Sequence, residues 1–154
     1  MASAPQTPAA QPGIYVDPFR SYNFKLEING VTEAHFHECS NIGVKVHALK
    51  WRSGGASQVV HRLPGRVEYA DITLRYGLTK STDMWKWLLT AVNGTVERKN
   101  ISICVLEQDG VTEALRWNLM QAWISEWRGT NLNALSHEVG IEEMVLVYET
   151  LKRD

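Results

Sequence analysis

Apolar and polar residues alternate with a period of two over most of the chain beyond residue 20, the pattern of strands with one buried face. Tyr22, Phe24, Leu26 and Ile28 alternate with Asn23, Lys25 and Glu27, which predicts an opening strand. Asn29-Gly30 follows it, the preferred pair for a two-residue hairpin turn with positive backbone angles, and the alternation resumes from Glu33 to Cys39. A third strand from Ile42 to Lys50 sets Ile42, Val44, Val46 and Ala48 on one face and Lys45 and His47 on the other. A fourth from Val67 to Tyr76 places Ala70, Ile72, Leu74 and Tyr76 opposite Asp71, Thr73 and Arg75.

The period changes once. Trp85, Leu88, Leu89 and Val92 recur at helical spacing after a Ser81 or Thr82 cap with Asp83 in the first turn, and Asn93-Gly94 ends the helix. Strands then return over Asn100 to Glu107, Glu113 to Trp127 and Glu138 to Thr150, with an Asp109-Gly110 turn after the first. Leu115, Trp117 and Leu119 are odd-numbered whereas Met120, Ala122 and Ile124 are even-numbered, so the long strand carries a bulge or bend near Leu119. The expectation is a mainly β protein, an antiparallel sandwich or barrel of about seven or eight strands with one flanking helix.

Between the third and fourth strands lies a segment that a monomer has little use for. Lys50, Trp51, Arg52, Ser53, Gly54, Gly55, Ser57, Gln58, His61, Arg62, Leu63, Pro64, Gly65 and Arg66 read as an exposed arm, with a polar Gly-Gly loop and a Leu-Pro-Gly turn leading into the next strand. Its basic and partly aromatic character admits single-stranded nucleic acid, but contact with a neighbouring copy of the chain is the better reading.

The overall charge of −1, from sixteen basic and seventeen acidic residues, argues against a strong global attraction to nucleic acid or anionic membrane. No apolar run is long enough to cross a bilayer as a helix, so no membrane insertion is expected. Residues Met1 to Asp17, rich in Ala, Pro, Gln, Ser and Thr, read as a flexible extension before a single domain over residues 18–154. The start lacks a basic segment followed by an apolar one, and Cys39 and Cys104 stand in predicted strands without a metal-type partner, so synthesis in the cytoplasm without a signal peptide, with both thiols free, is expected.

Catalytic chemistry finds little support. His35 and His37 share a strand face with Cys39, yet no further ligand stands out, and no metal or other cofactor is expected. Adjacent Glu142 and Glu143 point to opposite faces of a strand, which does not suit a pair sharing one substrate. No nucleophile elbow frames a serine, and no Lys-Ser or Lys-Thr follows Gly54-Gly55 as a phosphate loop requires. Six tryptophans leave open a monomeric β-barrel module that binds a small ligand or carbohydrate; of Trp85 and Trp87, one is expected in the core and the other free for a partner.

In order and spacing these pieces resemble the tail tube protein family of contractile phages and phage-like contractile injection systems. The resemblance is carried by Phe24 to Ile28, Leu63-Pro64-Gly65, Tyr69-Ala70-Asp71-Ile72-Thr73-Leu74-Arg75 with Gly77, and the helix Met84-Trp85-Lys86-Trp87-Leu88. It continues through Arg98-Lys99-Asn100-Ile101, Trp117-Asn118-Leu119-Met120-Gln121-Ala122-Trp123 and Val139-Gly140-Ile141-Glu142-Glu143, about residues 18 to 151 in all.

The resemblance implies a structural protein and no enzyme: six-membered rings stacked into a hollow inner tube that conducts DNA or a protein effector as cargo. It further implies a sheath protein around the tube, baseplate hub or initiator proteins below, a terminator cap above and a tape-measure protein within, in a phage tail or released injection particle. On this reading the arm joins ring to ring, Lys45, His47, Asp71, Thr73 and Arg75 are candidates for the lumen wall, and Lys86, Arg128, Asn131 and Asn133 are candidates for the sheath side.

Overall fold

The computed structural model describes residues 23–29, 31–33, 36–55 and 58–154. The extension 1–17, the expected domain start at Pro18, Tyr22, His35 and Ser57 lie outside the described residues. Within them the order is β1 (Phe24–Ile28), β2 (Val31–Glu33), β3 (Phe36–Ser40), β4 (Val44–Trp51), β5 (His61–Tyr69), β6 (Ile72–Gly77), α1 (Asp83–Val92), β7 (Lys99–Leu106), β8 (Glu113–Arg128), β9 (Ile141–Val147) and β10 (Thr150–Arg153). Three predicted runs are each two strands. β2 and β3 are separate strands, Ala70-Asp71 separates β5 from β6, and Tyr148-Glu149 separates β9 from β10.

Eight strands form one antiparallel sheet in the order β2-β1-β7-β8-β9-β6-β3, with β10 beside β9 on β8. Its two edges, β2 and β3, are consecutive in sequence, so the chain itself ties the margins of an open barrel. Long β8 joins both halves and carries three register shifts, one near its start between Leu115 and Glu113 and two that bend its middle and end. Ile101 faces Leu119 but Lys99 faces Ala122, the extra residue lying beside Gln121 at φ +57°; Ile124 faces Leu146 but Glu126 faces Val145. The inward parity therefore moves from Leu119 to Ala122 and Ile124 and then back to Trp127. The first of these parity changes is the one expected near Leu119.

Strand alternation fills the interior with Leu26, Ile28, Ile72, Leu74, Ile101, Ile103, Leu119, Ile124, Met144 and Leu146, all almost wholly buried. The alternation read for β6 holds from Ile72 onward, with Ile72, Leu74 and Tyr76 inside and Arg75 outside, whereas Ala70, expected on the same face, is exposed between β5 and β6. The helix is rotated from its expected face. Met84, Trp87 and Leu88 pack inward while Val92 is 69% exposed. Trp87 decides this, because its Nε1 donates to the Glu97 carbonyl at 2.7 Å and Lys99 lies over its ring at 5.1 Å. Thr82 holds the N-cap position without a side-chain bond, so neither expected cap forms. Trp85 stays 45% exposed and meets the Trp127 ring edge-on at 5.0 Å.

Candidate functional site

Strands β4 and β5 pair only with each other and form a second, two-stranded sheet. The expected arm is thus a β-hairpin, and only residues 52–60 connect its strands. Its root is fixed where the Ala70 amide donates to the Gly43 carbonyl at 3.0 Å. Leu63-Pro64-Gly65, expected as a turn, lies inside β5 at a bulge: Val46 faces Val67 whereas Ala48 faces Pro64. A Cβ on Gly65 would stand 2.7 Å from the His47 carbonyl oxygen, so glycine is what permits the close approach.

The bulge gives the hairpin two unlike faces. Directly paired residues share a face, so Val44, Val46 and Val67 form an apolar patch near the root, followed outward by Ala48, Pro64, Lys50 and Arg62. The opposite face begins with Lys45, His47 and Glu68 and ends in Leu49, Leu63, Trp51 and His61. His47 Nε2 and Glu68 lie 2.6 Å apart, and the Trp51 and His61 rings stand 5.7 Å apart. Val44, Val46, Leu49, Trp51, Leu63 and Val67 are all about half exposed or more, from 49% to 58%. The alternation of β4 is therefore real, but its apolar side does not enter the core. A two-stranded ribbon alone is marginal in water, and one with open apolar patches gains from a cover.

The remaining candidates lie elsewhere. Asp71 precedes β6, Thr73 is half-buried within it, and Arg75 projects from its outer face. Arg75 bonds Glu38 at 3.1 Å and Glu143 at 2.9 Å; Arg128 bonds Glu143 at 2.8 Å and Glu126 at 2.7 Å. One charged row crosses β3, β6, β9 and β8. Arg75, a candidate for the lumen wall, and Arg128, a candidate for the sheath side, share one carboxylate and so lie side by side on the sheet. Lys86 is exposed on α1, and Asn131 and Asn133 are exposed in the loop 129–140 beyond Arg128. That loop also carries Leu132, Leu135 and Val139, between 77% and 89% exposed, which no periodicity in the sequence marks.

A second ionic cluster covers β1, β7 and β8. Lys25 bonds Glu113 at 2.7 Å and Glu27 at 2.9 Å, while Arg116 reaches both at 3.0 and 3.1 Å. With the Cys104 thiol these two carboxylates form a metal-type group of three, but cations already occupy the carboxylates and burial pushes the thiol up towards its protonated form. Lys25, and after it Arg116, hold both carboxyls below the usual carboxylate range. A depressed folded-state pKa contributes stability that is complete above the unfolded value of about 4.3 and is lost as pH falls from there through the lower folded values. Glu27→Gln should accordingly lower the melting temperature at neutral pH and flatten its fall between about pH 5 and pH 3, measured by thermal melts across that range. An unchanged acid slope would remove this cluster from the acid response.

The tryptophans do not gather into a platform. Trp87 is buried, Trp117 and Trp127 pack against the core, Trp85 lies on Trp127, and Trp51 is out on the hairpin. No helix among the described residues is long and apolar enough to cross a membrane.

Comparison with known proteins gives a consistent set. The family profile of T4-like virus tail tube protein gp19 matches residues 20–152. The chain is similar to one in the sheath-tube complex of the PVC extracellular contractile injection system in its extended state, at 21% identity over 89% of this chain and 91% of that one, TM-score 0.80. It is similar to a chain of the sheath/tube terminator structure of that system at 20% identity, over 92% and 99% of the two chains, TM-score 0.81. Hcp1 from Flavobacterium johnsoniae shares the fold more loosely, at 16% identity over 84% and 93%, TM-score 0.53. No curated protein sequence matches the chain.

Proposed function

This chain belongs to the T4-like virus tail tube protein family, and we propose from that premise that it forms six-membered rings which stack into the rigid inner conduit of a contractile particle. Its role is structural, that of an inner tube protein. The ring closes the barrel edges that one chain leaves open, and the β4–β5 hairpin joins each ring to the next. One observation supports the connector above all: a hairpin bonded to no other sheet, with apolar patches on both faces, gains stability and solubility when something covers it.

In this reading the tube performs no chemistry and guides DNA or a protein effector through its lumen. A sheath surrounds it, and baseplate, tape-measure and cap proteins start, measure and end it. The chain is made in the cytoplasm and leaves the cell only as part of a phage tail or injection particle. Residues 18–154 build the barrel and its hairpin, and residues 1–17 are an appendage to it.

Negative-stain microscopy of the purified chain over a range of concentrations, with its mass measured in parallel, tests this. Rings of six times 17.4 kDa, and hollow tubes at higher concentration, are expected. A compact monomer at every concentration would overturn the reading.

A further inference from the structure

The loop 129–140 roofs a groove of about 820 Å³ whose lining includes Leu78, Glu138, Val139, Ile141 and Glu143. We propose that this groove receives the outer end of the β4–β5 hairpin from a second copy of the chain. The inference rests on the stacked-ring reading and adds the acceptor surface to it.

Topology places donor and acceptor at opposite ends of one sheet. The hairpin leaves beside Ser40 and Ile72, which head the paired strands β3 and β6 at one end. At the other end Gly77 pairs with Ile141, and the Leu78 amide donates to the Gly140 carbonyl at 2.9 Å. Five strand steps, about 17 Å, separate the two ends. Copies stacked head to tail therefore present the hairpin of one to the groove of the next, and the contact repeats without closing. Eight residues of β4 extend about 25 Å, enough to pass from one copy to its neighbour.

The chemistry of the two surfaces matches. Leu49, Leu63 and Trp51 form the outer apolar face of the hairpin, and Leu132, Leu135 and Val139 are three of the four most exposed large apolar side chains on the described surface. Charge is complementary as well. Of sixteen basic and seventeen acidic residues in the chain, five and one fall in residues 44–69, so the hairpin is positive and the remainder negative. Lys50 stands directly opposite Arg62, an unfavourable pairing that a carboxylate between them relieves. The groove lining carries Arg75 and Arg128 against Glu138 and Glu143, and the acidic surplus lies on its margin, where Glu38 and Glu126 are further partners of those two arginines.

The test introduces Ser53→Cys on the hairpin with Ser136→Cys or Asn131→Cys at the groove. The native thiols interfere little, since burial pushes Cys39 up to about 12 and raises Cys104 also. Mild oxidation of assembled tubes should give cross-linked species larger than six chains. The single Ser136→Cys variant should lose maleimide reactivity by about tenfold or more on passing from rings to tubes. Tubes that yield no such species with either acceptor, or products ending at six chains, would overturn the proposal. So would unchanged labelling of Ser136→Cys, which leaves the groove to a different occupant such as an outer protein. If no tube forms even from the unsubstituted chain, the stacked-ring reading itself fails and takes this inference with it.

Discussion

Trp51→Ala combined with Leu63→Ala leaves rings intact and abolishes their stacking. Both side chains lie on the outer hairpin face and touch no part of the barrel core, so the melting temperature should move by less than about 2 °C. Stacking is another matter. Covering an exposed apolar side chain of this size contributes about 2 kcal/mol, so the pair contributes about 4 kcal/mol per hairpin, roughly a thousandfold in affinity. With six hairpins acting together between two rings, the loss compounds beyond any attainable protein concentration. Sedimentation and microscopy should then find rings alone. Tubes that form as readily as before would show that the hairpin is not the connector and that stacking rests on the flat ends of the rings.

The same hairpin shows where the sequence was legible and where it was not. The alternation of Val44, Val46 and Ala48 against Lys45 and His47 correctly predicts a strand, since period two depends only on local side-chain direction. It cannot say what the apolar side meets. Within one chain it meets water, so the natural inference that it meets the core fails. Leu63-Pro64-Gly65 was misread for a related reason: proline and glycine mark turns most often, but an edge strand beside a bulge accepts both. By contrast β6 and the bend in β8 were readable, because the parities of Ile72, Leu74 and Tyr76 and of Leu119, Ala122 and Ile124 answer to one core.

Charged positions were the least legible. Arg75 and Arg128 lie far apart in sequence, and only their common partner Glu143, brought between them by the order β6-β9-β8, places them on one face. Strand polarity makes Arg75 a lumen candidate and the family resemblance makes Arg128 a sheath candidate, and neither takes account of the carboxylate they share. The family resemblance, carried by order and spacing over nearly the whole domain, was secure from sequence; the assignment of surfaces within it required strand neighbours that no local pattern encodes.

The second large effect concerns stability. Trp87→Ala should cost about 3–5 kcal/mol, near the upper range for a buried aromatic, and lower the melting temperature by about 10 °C. Trp87 is 3% exposed, anchors α1 to the barrel, and donates its indole proton to the Glu97 carbonyl. Trp87→Phe keeps most of the ring contacts but forfeits that bond, so it should cost nearer 1 kcal/mol. Denaturant melts monitored by circular dichroism measure the ranking. Because helix and hairpin belong to separate packing units, the two sets of variants should fail differently: Trp87→Ala loses tubes as it unfolds and regains them on cooling, whereas the hairpin variant is unstacked even while folded, up to a melting temperature close to the parent's. A Trp87→Ala protein with the parent melting temperature would mean that α1 is peripheral to the fold and that the indole anchor contributes nothing the barrel strands do not already supply.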